Sequence, residues 1–207
     1  MRIKKLKKGF EKLTKEKARI IAHLIGDGCA FISKNDYNIK YDNSDRELIN
    51  SFNNDIIKVY GLITTGGLKP SGKTGKLLPF TRLRSKLAYE DLISYSSYYS
   101  KDWKIKNKFM NSSKEIKKEF LKAFSDDEGS VCKEGKKGII KLYSINLNGI
   151  KQIQEMISKF GISTKIYSGY GLKRNVYALI IRDLKLFNNK IGFNLKRKKK
   201  RLNEFIK

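Results

Sequence analysis

The same unit is written twice in this 207-residue chain. Residues 18–31, ARIIAHLIGDGCAF, and 119–132, EFLKAFSDDEGSVC, each hold an apolar helical run that closes on an acid and a glycine. A strand-like segment follows in both. Gly61, in IIKVYGLI, comes 33 residues after Gly28, and Gly161, in MISKFGIS, comes 32 residues after Gly129. These glycines end RELINSFNNDIIKVYG and NGIKQIQEMISKFG, two segments with helical apolar spacing. TRLRSKLAYEDLI and LIIRDLKLFNNKI then correspond as strands running into short helices. This is a duplicated unit and not a solenoid.

Each copy reads as helix, strand, strand, helix, strand, strand, helix. In the first, the pattern predicts helices over 14–27, 45–60 and 86–98, with Thr14 as N-cap, and strands over 29–34, 37–42, 62–69 and 77–84. In the second, Ser112 and Glu115 read as a capping box for a helix ending at 128. Strands are expected over 130–134, 138–145, 164–168 and 175–182, with helices over 148–160, 183–190 and 197–206. Short neighbouring strands suit antiparallel hairpins, so the fold class is α+β in two repeats, 1–104 and 105–207, with 100–113 as linker.

Charge points to the partner. The chain has 46 Lys+Arg against 20 Asp+Glu, a net +26 spread along its length, which favours a polyanion and above all nucleic acid. No apolar run approaches the roughly 18 residues of a membrane span, and the basic N-terminus lacks the apolar stretch of a secretory signal. Cys29 and Cys132 lie far apart with no CxxC, so neither a disulfide framework nor a zinc site is expected. A reduced, non-secreted protein, cytoplasmic or organellar, is the expectation.

Three motifs are set aside. GLKPSGKT, Gly67 to Thr74, fits the pattern of a phosphate-binding loop, but that loop needs a helix after it. Here Gly75 and the strand-like KLLPFTRLR follow, so a basic hairpin loop is expected. Glu134-Gly135-Lys136 could complete a D…E-x-K nuclease pattern with Asp126, yet that triplet arises easily in a Lys-rich chain. His23 is the only histidine, which excludes two-histidine mechanisms; it reads as a partly buried helix residue.

The two helix ends remain. Asp27 in the first repeat and Glu128 in the second stand immediately before the closing glycine. A carboxylate is disfavoured at a helix C-terminus unless a cation joins it. Hard divalent cations take carboxylate oxygens completed by water and phosphate, so two matched acids would make a site for phosphodiester chemistry. Close helix packing needs small residues, and Ala22, Gly26 and Ala123 supply them.

On these residues the chain resembles the LAGLIDADG family of homing endonucleases, with IIAHLIGDG (20–28) and LKAFSDDEG (121–129) as its signature helices. The resemblance implies two αββαββα units whose sheets form a saddle over the DNA major groove, with the signature helices at a pseudo-twofold interface. It implies a monomeric, site-specific double-strand DNA endonuclease of intron homing, with Asp27 and Glu128 holding Mg²⁺ (Mn²⁺ substituting). Basic residues beside the scissile phosphates are expected to be Lys198 and Lys104. The DNA-reading face is expected to carry Asn38, Lys40, Arg82, Arg84, Lys141, Tyr143, Lys165 and Tyr177.

Asp127 departs from the pattern, standing where Gly26 stands in the first repeat; it must point off the interface or be hydrogen-bonded. Asp126 is expected to support the helix end. The Met1 start and absence of a His-Asn ending suggest a freestanding or intron-encoded protein. The rival readings are a maturase that binds its host intron RNA and a DNA-binding regulator without catalysis.

Overall fold

The computed structural model describes residues 6–71 and 75–206; Gly72, Lys73 and Thr74 of the GLKPSGKT match lie outside the described residues. The first repeat runs α1 (Lys15–Ile25), β1 (Gly28–Ser33), β2 (Asp36–Asp42), α2 (Arg46–Tyr60), β3 (Thr65–Pro70), β4 (Leu77–Arg84) and α3 (Lys86–Ile93). After a short α4 (Asn107–Met110), the second runs α5 (Lys114–Glu128), β5 (Gly129–Glu134), β6 (Lys137–Ser144), α6 (Leu147–Ser158), β7 (Thr164–Tyr170), β8 (Val176–Ile181) and α7 (Leu184–Lys190), with α8 (Lys196–Asn203) appended. Both sheets are four-stranded and antiparallel, ordered β1-β2-β4-β3 and β5-β6-β8-β7. The α+β duplicated fold is as the sequence repeat requires. β3 and β4 pair as antiparallel strands, so the element that follows GLKPSGKT is the strand Leu77–Arg84 and not a helix.

Strand register fixes what each face does. In the first sheet Ala30, Ile39, Tyr41, Thr81 and Leu83 turn toward the helices and are buried. In the second, Ile140, Leu142, Leu179 and Ile181 do the same. One continuous core joins the repeats: it takes in Ile20, Ile21 and Leu24 of α1 and Phe120, Leu121 and Phe124 of α5, and the two helices pack against each other. Burying each such side chain contributes roughly 1.5–3 kcal/mol. Arg19 of α1 crosses this interface, binding Asp55 of α2 at 2.7 Å and Glu119 of α5 at 2.8 Å.

Local departures have physical causes. The cap of α5 is Ser113, whose Oγ accepts the Ile116 N–H, and not Ser112; adjacent serines offer the same signal one residue apart. The third helix stops at Ile93, because Tyr95 and Tyr98 turn inward and Ser96 pairs with Ile105. The 100–113 linker is packed. Trp103 lies so close to α6 that a Cβ on Gly149 would stand 2.5 Å from its ring, and Asn146 Nδ2 donates to the Trp103 carbonyl at 2.7 Å. Gln152 brackets Ile105, donating to its carbonyl at 2.7 Å and accepting its N–H at 2.9 Å.

Candidate active site at the paired helix ends

Helices α1 and α5 run side by side and deliver Asp27 and Glu128 to the same end of the interface. Between them lies a buried polar network that crosses from one repeat to the other. The Asp127 side chain is fully buried, 2.9 Å from His23 Nδ1, and accepts the Tyr41 hydroxyl at 2.7 Å. Asn43 Nδ2 donates to Asp27 at 2.9 Å and to Asp127 at 3.3 Å. Asp127 therefore meets the second of the two conditions set by its sequence position: it faces the interface and is hydrogen-bonded. Burial alone would lower the His23 pKa, but the charge and hydrogen bond of Asp127, with Asp126 and Asp55 beyond, raise it.

The catalytic candidates sit in an electrostatically unfavourable place. Glu128 is pushed up to about 8 by burial and by the charges of Asp27 and Asp127, with Lys198 opposing. Asp27 is pushed up to about 6, again by burial first and Asp127 next. Asp27 is exposed as a residue, yet enough protein surrounds its carboxyl to desolvate it. Among the described residues, the Glu128 carboxylate accepts no hydrogen bond.

These residues fit a divalent cation. Carboxylates from both repeats converge here with Lys198 only partly offsetting their charge, and their hard oxygen donors suit Mg²⁺ or Mn²⁺. No group of three or more His, Cys, Asp or Glu residues able to hold an ion occurs among the described residues. A cation bound here would draw one carboxylate from each repeat, with water and phosphate oxygens completing its shell.

Lys198 of α8 reaches the C-terminal turn of α5. It is buried, and Nζ donates to the carbonyls of Ser125 at 3.0 Å, Gly129 at 2.6 Å and Asp126. All three protons are thereby engaged, and the ammonium closes the C-terminus of α5. Asp126 accepts the backbone N–H groups of Asn194 at 3.0 Å and Leu195 at 3.1 Å, anchoring the segment that leads into α8. It supports the helix end, as expected. Lys104 is not brought to the acids: it is exposed beside Asp102, Asn146 and Gln152, and the charges acting on Glu128 come from Asp27, Asp127 and Lys198.

The sheet faces turned away from the helices carry most of the expected DNA-reading residues. Lys40 pairs with Arg82, and Asn38 with Arg84, so these four share a face opposite Ile39 and Tyr41. Asn38 is buried there and donates to the Asp36 carbonyl at 2.8 Å. In the second sheet Lys141, Tyr143 and Lys165 share the outer face with Ile139, Ala178 and Ile180, which form a small apolar cluster under Tyr143 and Tyr170. Tyr177 is the exception. It aligns with Leu179 and Ile181 and packs against the main core, so it faces the helices. VYALII is apolar on both faces, which leaves its parity unreadable from sequence.

Tyr41 and Asn43 went unread in the sequence. The available signal was the bulky Asp127 at a close helix contact, which demands hydrogen-bond partners from somewhere.

Residues 115–192 match the LAGLIDADG-like domain family. No curated protein matches the chain. Among solved structures, the homing endonuclease I-WcaI bound to its DNA recognition sequence superposes with a TM-score of 0.68 at 15% identity, covering 92% of this chain and 87% of that one. I-DmoI in complex with DNA and Mn gives 0.65 at 15% identity, over 87% and 98%. Full-length DUF199/WhiA from Thermatoga maritima gives 0.61 at 11% identity, over 95% of this chain and 64% of its own. The shared feature is the fold of single-chain LAGLIDADG homing endonucleases, with both repeats present.

Proposed function

We propose that this chain, a LAGLIDADG-like domain on the two-repeat fold of that family, is a site-specific double-strand DNA endonuclease acting as a monomer in intron homing. The observation that carries this reading is the pair Asp27 and Glu128, one from each repeat, at the ends of packed helices, with Lys198 only partly offsetting their charge. Asp27 and Glu128 would hold divalent metal, Mg²⁺ with Mn²⁺ as substitute. When bound, the metal supplies an activated water and stabilises the leaving oxygen.

The protein's own groups do the rest. Lys40, Arg82 and Arg84 on one outer face and Lys141 and Lys165 on the other neutralise DNA phosphates and reach base edges. Asn43 orients Asp27 through a fixed amide. Lys198 keeps the main chain around Glu128 in place and offsets the negative charge gathered there.

The test is cleavage of a randomised duplex library in Mg²⁺, with the cut ends sequenced, beside Asp27→Asn and Glu128→Gln. Double-strand cuts at one long motif, lost in both variants, are expected. Tight duplex binding with no cuts would replace this reading by a DNA-binding regulator, and far tighter binding of intron RNA than of duplex DNA would replace it by a maturase.

A further inference from the structure

We infer that the two sheets read chemically unlike half-sites. The first repeat takes a half-site containing G·C pairs through Lys40, Arg82 and Asp42. The second takes an A·T-rich half-site through thymine methyl groups laid against Tyr143 and Tyr170. The inference rests on the duplex-reading part of the function proposed above and adds the base composition of the target.

Strand register aligns the two outer faces residue by residue. Tyr41 pairs with Gly28 in the first sheet, and Leu142 pairs with Gly129 in the second. Lys40 is therefore matched by Lys141, but Asp42 corresponds to Tyr143 and Asn38 to Ile139. On the next strand Lys40 pairs with Arg82 where Lys141 pairs with Ile180. The centre of the first face is thus charged, and its charges are incompletely paired. Arg82 Nε is buried with no hydrogen-bond partner among the described residues. Asp42 binds Lys69 and lies 3.4 Å from Lys40 Nζ, while its Oδ1 is buried with no partner among them. A guanidinium or ammonium donates to guanine O6 and N7, and a carboxylate accepts from cytosine N4, so this set suits G·C pairs.

The centre of the second face is apolar. Ile139, Ala178 and Ile180 form a floor on which Cys132, Tyr143 and Tyr170 pack. The Tyr143 and Tyr170 rings meet edge to face at 5.9 Å. Lys141 Nζ lies 5.2 Å from the Tyr170 ring centre, so even the central cation is drawn onto an aromatic face. Lys137, Lys165 and Arg182 rim the patch on the same side, where phosphates would meet them. A G·C pair pressed against these rings would leave its O6 and N4 groups without partners, and unpaired polar groups are costly to desolvate. The thymine C5 methyl is the base-edge group that gains from such a surface.

The experiment selects bound duplexes from a randomised library in the presence of a chelator, so that no cutting intervenes, and then measures binding by fluorescence anisotropy. The selected site should hold guanines in one half and an A·T-rich sequence in the other. Replacing thymine by uracil removes only the methyl. It should weaken binding about fourfold per contacted base in the A·T-rich half and leave the other half unaffected. Replacing guanine by 7-deazaguanine removes the N7 acceptor and should cost about tenfold per contacted base in the G·C-bearing half. Arg82→Ala should lose the deazaguanine response at one position and keep the uracil response. Tyr143→Ala should blunt the uracil response and keep the deazaguanine response, and the response that each variant keeps shows that it is folded. Equal responses in both halves, or an unchanged uracil response in Tyr143→Ala, would overturn the inference, while cleavage in Mg²⁺ would leave the endonuclease standing. The expected pattern without cleavage in Mg²⁺ would uphold the inference and remove the endonuclease. Failure to select any sequence would remove duplex reading and the inference together.

Discussion

Asp127 on α5 occupies space that Gly26 on α1 leaves open. A Cβ added to Gly26 would stand 2.8 Å from both the Cβ and Oδ2 of Asp127, closer than unbonded atoms tolerate. One repeat gives up its side chain so that the other can place a carboxylate at the shared axis. That carboxylate joins His23, Tyr41 and Asn43 into the network behind Asp27.

Gly26→Ala should therefore destabilise the protein by about 1–3 kcal/mol, the usual range for forcing a methyl into a packed interface. Urea denaturation monitored by circular dichroism measures this. Stability within a few tenths of wild type would mean that the helices part easily and that Asp127 is not confined.

Glu128→Gln should stabilise the metal-free protein at alkaline pH. The folded pKa of Glu128 is raised from 4.5 to about 8. The folded state thus holds a proton that the unfolded state releases, and stability contributed by this group falls as pH rises from about 4.5 to about 8. Below that window wild type and variant should agree. At pH 8 the variant should lead by roughly 2–4 kcal/mol, and added Mg²⁺ should narrow the gap by stabilising wild type alone. Thermal melts across pH 4–9 test both statements.

Lys198→Met removes the donor shared by the carbonyls of Ser125, Asp126 and Gly129 while keeping the aliphatic stem. Stability should drop by about 2–4 kcal/mol, because buried carbonyls lose a charged partner. The Lys198 charge also holds Glu128 down, so the pH dependence described above should move to higher pH in this variant. A variant with unchanged melts at neutral pH would assign Lys198 to phosphate contact instead.

Arg84→Ala and Lys165→Ala should each weaken duplex binding and lower the slope of log affinity against log salt by about 1. Tyr177→Phe should leave the slope and affinity as they are, since Tyr177 faces the core. Fluorescence anisotropy over a salt series separates these outcomes.

Much of this was legible in the residues because duplication supplies its own control. Apolar spacing and glycine stops placed the helices, and the matched positions of Asp27 and Glu128 singled them out from twenty acidic residues. The linker misled because KDWKIKNKFM is rich in charge, yet Trp103, Ile105 and Phe109 are buried. Its apolar residues have neither helical nor strand period, so only the surface they cover reveals their purpose.

The sequence by itself determined the class of fold, the two-copy architecture and the pair of acids, since these depend on local periodicity and on spacing repeated within one chain. Tertiary structure alone decided which partners those acids have. Asn43 reaches Asp27 across 16 residues and Asp127 across 84, and Lys198 closes a helix that ends 70 residues earlier. Such contacts have no period along the chain. They arise where register and helix packing bring side chains together, and a buried carboxylate then takes whichever donors that geometry provides.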